Sequence, residues 1–238
     1  MVPLRRRCRT AEILVLSRWA IGIALALFVA AMFLYPGGTV NDASTSGYNF
    51  FRNFGSDLGR TVAFNGQSNR LSQILSTVGG FLLMLGIVAS CSGVAAVYST
   101  SPASRGWALL AVMAGLVATS IVLAAFLIPA DRNLAVHVRL AYLGFDIAPV
   151  VPLCFALATV RNRRLPLAVP AGWTLMTLVL AGFVVLRVPI TTDTGLIIQV
   201  TAQKIVFIMI AATLLYEGDQ AKAQAAAGDD RRSSSCPR

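Results

Sequence analysis

Apolar residues gather along this chain into six long runs, and short, mostly arginine-marked stretches separate them. The runs cover 13–35, 71–98, 106–128, 140–160, 165–186 and 196–216. A helix needs about 20 apolar residues to cross a hydrocarbon core ~30 Å thick, so each run is near bilayer length. The pattern predicts an all-α fold, a polytopic membrane protein built as a six-transmembrane-helix bundle over 13–216. A basic N-terminal tail (1–12) precedes it. A polar, alanine-rich tail (217–238) follows and is expected to extend the last helix, then fray into disorder. Pro36-Gly37-Gly38 stops the first run and Pro129 the third. Pro149 and Pro152 each remove a backbone donor, which predicts a kink in the fourth.

Composition agrees with this reading. The chain is 56% hydrophobic and only 13% charged, with a mean hydropathy of +0.72. Soluble domains are closer to ~45–50% apolar. The net charge of +10 does not point to nucleic acid, because the arginines lie between apolar runs, where they act as topology determinants. Arg5, Arg6, Arg7 and Arg9 look like the basic start of a signal peptide. The following run of roughly 23 residues, however, exceeds the ~7–15 of a signal core, so a retained span is expected.

With the N-terminus cytoplasmic, Arg105 and the Arg161-Asn162-Arg163-Arg164 cluster fall on the inner side together with both tails, as the positive-inside rule prefers. An even number of spans then places both termini in the cytoplasm. Abundant Ala, Gly and Arg suggest a bacterial source and hence the inner membrane. Cys91 and Cys154 fall within spans and Cys8 and Cys236 in the tails, so no extracytoplasmic disulfide is expected.

The connection 36–70 is long for a bundle loop, roughly 35 residues where 2–8 is usual. Tyr48, Phe50, Phe51, Phe54 and Phe64 make it too aromatic for disorder. Phe50, Phe51, Phe54 and Leu58 fall at helical spacing, which predicts a partly helical outer lid between spans one and two. Ser56 and Asp57 are suited to cap a turn. The run Asn53-x-x-Ser56-Asp57-Leu58-Gly59 just after the first span, with Asn65 following and six spans in all, resembles the uncharacterised membrane family catalogued as domain of unknown function 998. The resemblance would cover most of the chain and implies no activity. It singles out Asn53, Ser56, Asp57 and Gly59 as a lid motif; building a turn with a satisfied backbone would equally account for them.

Two charges fall deep inside spans, Asp146 in the fourth and Lys204 in the sixth. A charge at bilayer depth costs at least ~2.5–3.5 kcal/mol and normally faces a partner or a wet cavity. At ~1.5 Å per residue, Asp146 is ~10 Å inward from Arg139 and Lys204 ~13 Å inward from Gly195. The matching depths predict a salt bridge lining an outward-facing polar pocket, to which Gln199, Gln203, Gln73, Ser72 and Ser76 would contribute. Such a pair is equally able to act as an interhelical staple, and the two residues need not meet at all. His137 and Arg139 lie at the outer rim. His137 is the sole histidine, expected to be interfacial and otherwise the one candidate general base.

No phosphate loop, Gly-x-Ser-x-Gly, His-Glu-x-x-His or metal-ligand spacing is present in the sequence, so no metal or cofactor is expected. A last-helix lysine opposite an aspartate resembles a retinal site, but that architecture needs seven helices. Three function classes follow. The leading one is binding or transport of a lipid or small amphiphile. The others are an intramembrane lipid-modifying enzyme using Asp57, Asp146 or His137, and a non-catalytic assembly or regulatory subunit. Membrane lipids are expected partners and nucleic acid is not; a partner protein or self-association is left open.

Overall fold

In the computed structural model, which describes residues 4–99, 101–160, 162 and 165–233, the chain is a bundle of α-helices. Side chains are described from Thr10 to Gln224. The arginine cluster 161–164, apart from Asn162, and the end of the C-terminal tail lie outside the described residues, as do the side chains of Cys8 and Cys236. The elements are α1 (Leu4–Leu34), α2 (Arg70–Tyr98), α3 (Pro102–Leu127), α4 (Leu134–Ile147), α5 (Val150–Thr159), α6 (Ala168–Val185) and α7 (Asp193–Ser233). Counting α4 and α5 as one interrupted helix, six among the described residues are long and apolar enough to cross a membrane. This is a multi-pass membrane protein of the all-α class. Among the described residues no strand forms; two isolated bridges, Gly37 with Ser46 and Val62 with Ser68, lie in the long connection.

The sequence explains where the helices start and stop. Ser101 caps α3, its hydroxyl accepting from the Ser104 amide, and Pro102 follows at the first helical position. Asn133 caps α4 through Val136. The fourth span breaks at Ala148-Pro149, as its two prolines predict. Pro149 offers no N–H to α4, and the chain recovers through Val151 N–H to Ala148 and Leu153 N–H to Pro149. Helix α7 continues past Tyr216 as far as Ser233, so the tail extends the last span as a helix.

Close packing between α1 and α2 rests on a stripe of small residues, Gly79, Gly86 and Gly93, recurring every seventh position on α2. A Cβ on Gly86 would lie 2.8 Å from Ile21 Cγ1 and 3.2 Å from the Ser17 carbonyl oxygen. One on Gly93 would lie 2.6 Å from Leu14. Small residues at such positions let two backbones approach in a membrane, where dispersion rather than burial from water favours association. Trp173, stacked on Phe155 at 4.6 Å, fills the bundle core between α5 and α6.

Candidate functional site

The segment 36–69 forms a cap over one end of the bundle. Gly37 and Gly38 turn the chain with positive φ, and a Cβ on Gly38 would come within 2.5 Å of the Asn65 amide nitrogen. The helical part is one 3-10 turn, Gly55–Gly59, shorter than the spacing of Phe50 to Leu58 predicts. Leu58 is fully buried with Ala31, Tyr35 and Ala63, which seats the turn on α1 and α2. Phe50 and Phe51 are largely exposed. That aromatic pair meets edge to face rather than following a helix face inward.

Asn53 is the hub of the cap and has no exposed surface. Its Oδ1 accepts from the Asn49 amide at 2.9 Å. Its Nδ2 donates to the Gly38 carbonyl at 2.9 Å and to Asp57 Oδ2 at 3.2 Å. Its own carbonyl accepts from the Tyr48 hydroxyl at 2.9 Å and from Lys204 Nζ at 2.7 Å. The same Asp57 oxygen accepts from the Phe54 amide at 2.8 Å, so Asp57 caps the 3-10 turn. Ser56 is half-buried beside it. Burial pushes the Asp57 carboxyl up to about 6, against the hydrogen bonds from Asn53 and Phe54 that favour its charged form. Burial likewise raises the phenols of Tyr35, to about 12, and of Tyr48, each reinforced by the Asp57 charge.

Lys204 reaches this hub from α7. Besides the Asn53 carbonyl it meets two ring faces, at 5.4 Å from the Tyr48 centroid and 5.2 Å from that of Phe50. Both are within cation–π range. From the residue just before Lys204, Gln203 Oε1 accepts from the Gly55 amide at 2.9 Å. Gln199 Oε1 accepts from the Val188 amide at 3.3 Å, within the α6–α7 connection and α7. Gly59 is buried over α2, where an added Cβ would lie 3.9 Å from Ser76 Oγ. Ser76 itself bonds back to the Gln73 carbonyl, and Ser72 to that of Leu58.

Asp146 and Lys204 do not form the expected pair. Asp146 is bonded to Arg187, whose guanidinium also lies 4.7 Å from the Tyr142 ring centroid. The reason is azimuth. Phe145 is the residue of α4 that faces α7, in ring contact with Phe207 and with Phe183 of α6. Asp146, one residue on and so about 100° round the helix, points instead toward the end of α6. His137 is buried, its Nδ1 within 3.0 Å of the Ala125 carbonyl oxygen and 2.8 Å of that of Ile128. Two carbonyl acceptors require a proton on that nitrogen, and the ring ties α4 to the end of α3. Arg139 is exposed. The candidate acids and bases are therefore dispersed: His137 of α4 is held against the end of α3, Asp146 is paired with Arg187, and Asp57 lies in the cap.

Several participants carried no strong sequence signal. Asp131, between α3 and α4, accepts from the Thr61 and Val62 amides and the Thr61 hydroxyl. Arg52 forms a two-point ion pair with Asp193 at 2.8 Å, and Asn41 reaches the Ile190 carbonyl. The cap is thus strapped to both neighbouring connections. Asn69 bridges the Leu58 and Arg60 carbonyls. Below the cap, a cavity of about 70 Å³ sits among spans two to six, lined without polar surface by residues including Met84, Gly115, Ala118, Ala148, Met176 and Phe207. It adjoins the break in the fourth span. Compared with known proteins, the chain matches no family model, no curated protein and no solved structure.

Proposed function

We propose that this protein binds or transports a lipid or small amphiphile, and that the apolar end of the ligand enters the cavity beside the broken fourth span. The cavity carries the proposal. Protein interiors are close-packed, and voids larger than a water molecule are few. Here a partly open one adjoins the break in the fourth span, lined there by Ala148 and Val151, and broken membrane helices commonly border cavities. Its volume of about 70 Å³ is below the ~150 Å³ of an engineered cavity that admits benzene. A chain terminus fits, and a whole amphiphile does not. The polar pocket expected from sequence is replaced in this proposal by an apolar one, since Lys204, Gln203, Gln199 and Ser76 already have partners. Membership of family 998 and residence in a bacterial inner membrane with both termini cytoplasmic belong to the same proposal, supported by the cap motif and the arginine distribution.

A second reading is an assembly or regulatory subunit without catalytic work. The hydrogen-bond network that centres on Asn53 and occupies the polar groups of the cap with one another favours it. Native mass spectrometry of the gently solubilised protein separates the two, with Ala118→Leu as the cavity-filling variant. A small apolar molecule retained by the wild type and lost from an equally stable variant supports binding. Two bare proteins support the subunit reading.

A further inference from the structure

Glu217 lies on α7 at the end of the bundle opposite the cap and has no exposed surface. Its Oε2 accepts a hydrogen bond from the Tyr98 hydroxyl of α2 at 3.3 Å. Its Oε1 and the Trp173 indole N–H of α6 are both buried without a hydrogen-bond partner. Gly172 is placed so that an added Cβ would lie 3.0 Å from that same oxygen. Three spans thus converge on one carboxyl group, and glycine leaves the room for it. The basic residue described nearby on α1, Arg18, is bound to Asp219. Lys222 and Tyr216 are the other titratable neighbours on α7, and neither forms an ion pair with Glu217 among the described residues.

We propose that Glu217, with Tyr98 and Trp173, forms a proton-binding site inside the membrane domain. The chemistry follows from the inventory. An ionised carboxylate in this setting would need a cation or several donors to offset its desolvation, and among the described residues only one hydrogen bond is made. A neutral carboxyl needs far less, and its ligand is the proton. Releasing the proton leaves a charge that draws the Tyr98 hydroxyl and the Trp173 N–H toward it. Trp173 also lines the apolar cavity, so proton release would move a wall of that cavity. The proton site itself does not depend on a ligand occupying the cavity.

The test uses Trp173 as reporter in the full-length protein carrying Trp19→Phe and Trp107→Phe, two exposed positions. Its fluorescence is expected to change with pH in a single step that Glu217→Gln abolishes while the melting temperature is kept. In parallel, a hydrophobic carbodiimide is expected to label Glu217 of the wild type, with labelling falling as pH rises. The labelling needs no variant and so decides the matter if Glu217→Gln fails to fold. A Trp173 signal flat with pH, or a pH step unchanged by Glu217→Gln, overturns the proposal. So does a Glu217 that resists carbodiimide at every pH, which would make it a structural hydrogen-bond partner only.

Discussion

Lys204 Nζ lies 2.7 Å from the main-chain oxygen of Asn53, a contact between residues 151 positions apart that latches the last span to the cap. The Tyr48 hydroxyl shares that oxygen. Loss of Lys204 therefore leaves the carbonyl satisfied, whereas loss of the Asn53 side chain strands the Gly38 carbonyl and the Asn49 amide. Asn53→Ala is expected to cost the cap about 3 kcal/mol, at about 1 kcal/mol per hydrogen bond lost. Lys204→Met should cost less, since removing a buried charge also removes its desolvation. Hydrogen exchange over residues 48–60 would rank the two, and the reverse order would remove Asn53 from the centre of the cap.

Asp57 makes the cap sensitive to pH. Its carboxyl titrates near 6 when folded, against an ordinary value of 3.8. The folded cap therefore binds the proton more tightly than the unfolded chain does. Stability is greatest below 3.8, declines as pH rises from there through about 6, and is level above. Two units correspond to about 3 kcal/mol, at about 1.4 kcal/mol per unit. The window belongs to Asp57. Asp42, held low by its Ser44 hydrogen bonds, titrates below it, as does Asp131, whose burial is outweighed by those from Thr61. In Asp57→Asn the decline should vanish. Exchange protection of the cap, corrected for intrinsic rates and followed from pH 4 to 8, checks this; a wild-type profile as flat as the variant's would contradict it.

Packing of α1 on α2 gives a third expectation. Gly86→Val would force its side chain against Ile21 and the Ser17 carbonyl, both within 3.2 Å of the first added carbon. Overpacking of this kind costs about 1–3 kcal/mol. Gly22→Ala meets nothing within 4 Å and serves as control. A thermal shift in detergent should separate them; equal melting temperatures would show that the small-residue stripe is dispensable.

The spans were legible because length and apolar content suffice for them, and the break because a proline within a span offers no N–H. The cap was legible in part. Aromatic content argued for order, and Asn53 and Asp57 stood out, but Asp131, Arg52 and Asn41 act across connections that no local pattern links. Lys204 and Gln203 were recognisable as buried polar groups needing partners. Their partners were not, because rise per residue gives depth in a helix while azimuth depends on packing. Glu217 escaped for a related reason. A glutamate directly after Tyr216 looks like the first residue of a polar tail, and only the third dimension buries it between Tyr98 and Trp173.

The partnership of Asp146 with Arg187 yields the last prediction. Each side chain is about two-fifths exposed, at 38% and 41%, and the guanidinium also rests on Tyr142. For a partly exposed pair the coupling should be small, under about 1 kcal/mol in solvent, and larger where the flanking surface is lipid rather than water. A double-mutant cycle with Asp146→Asn and Arg187→Gln measures it. Exchange of the charges, Asp146→Arg with Arg187→Asp, should recover most of the stability lost in either single reversal. Exchange of Asp146 with Lys204 should recover nothing, since Phe145 rather than Asp146 faces α7 and the reversed Lys204 would set a carboxylate against the Asn53 carbonyl. Recovery in the second exchange and not in the first would place Asp146 against α7 and return the two buried charges to a common site.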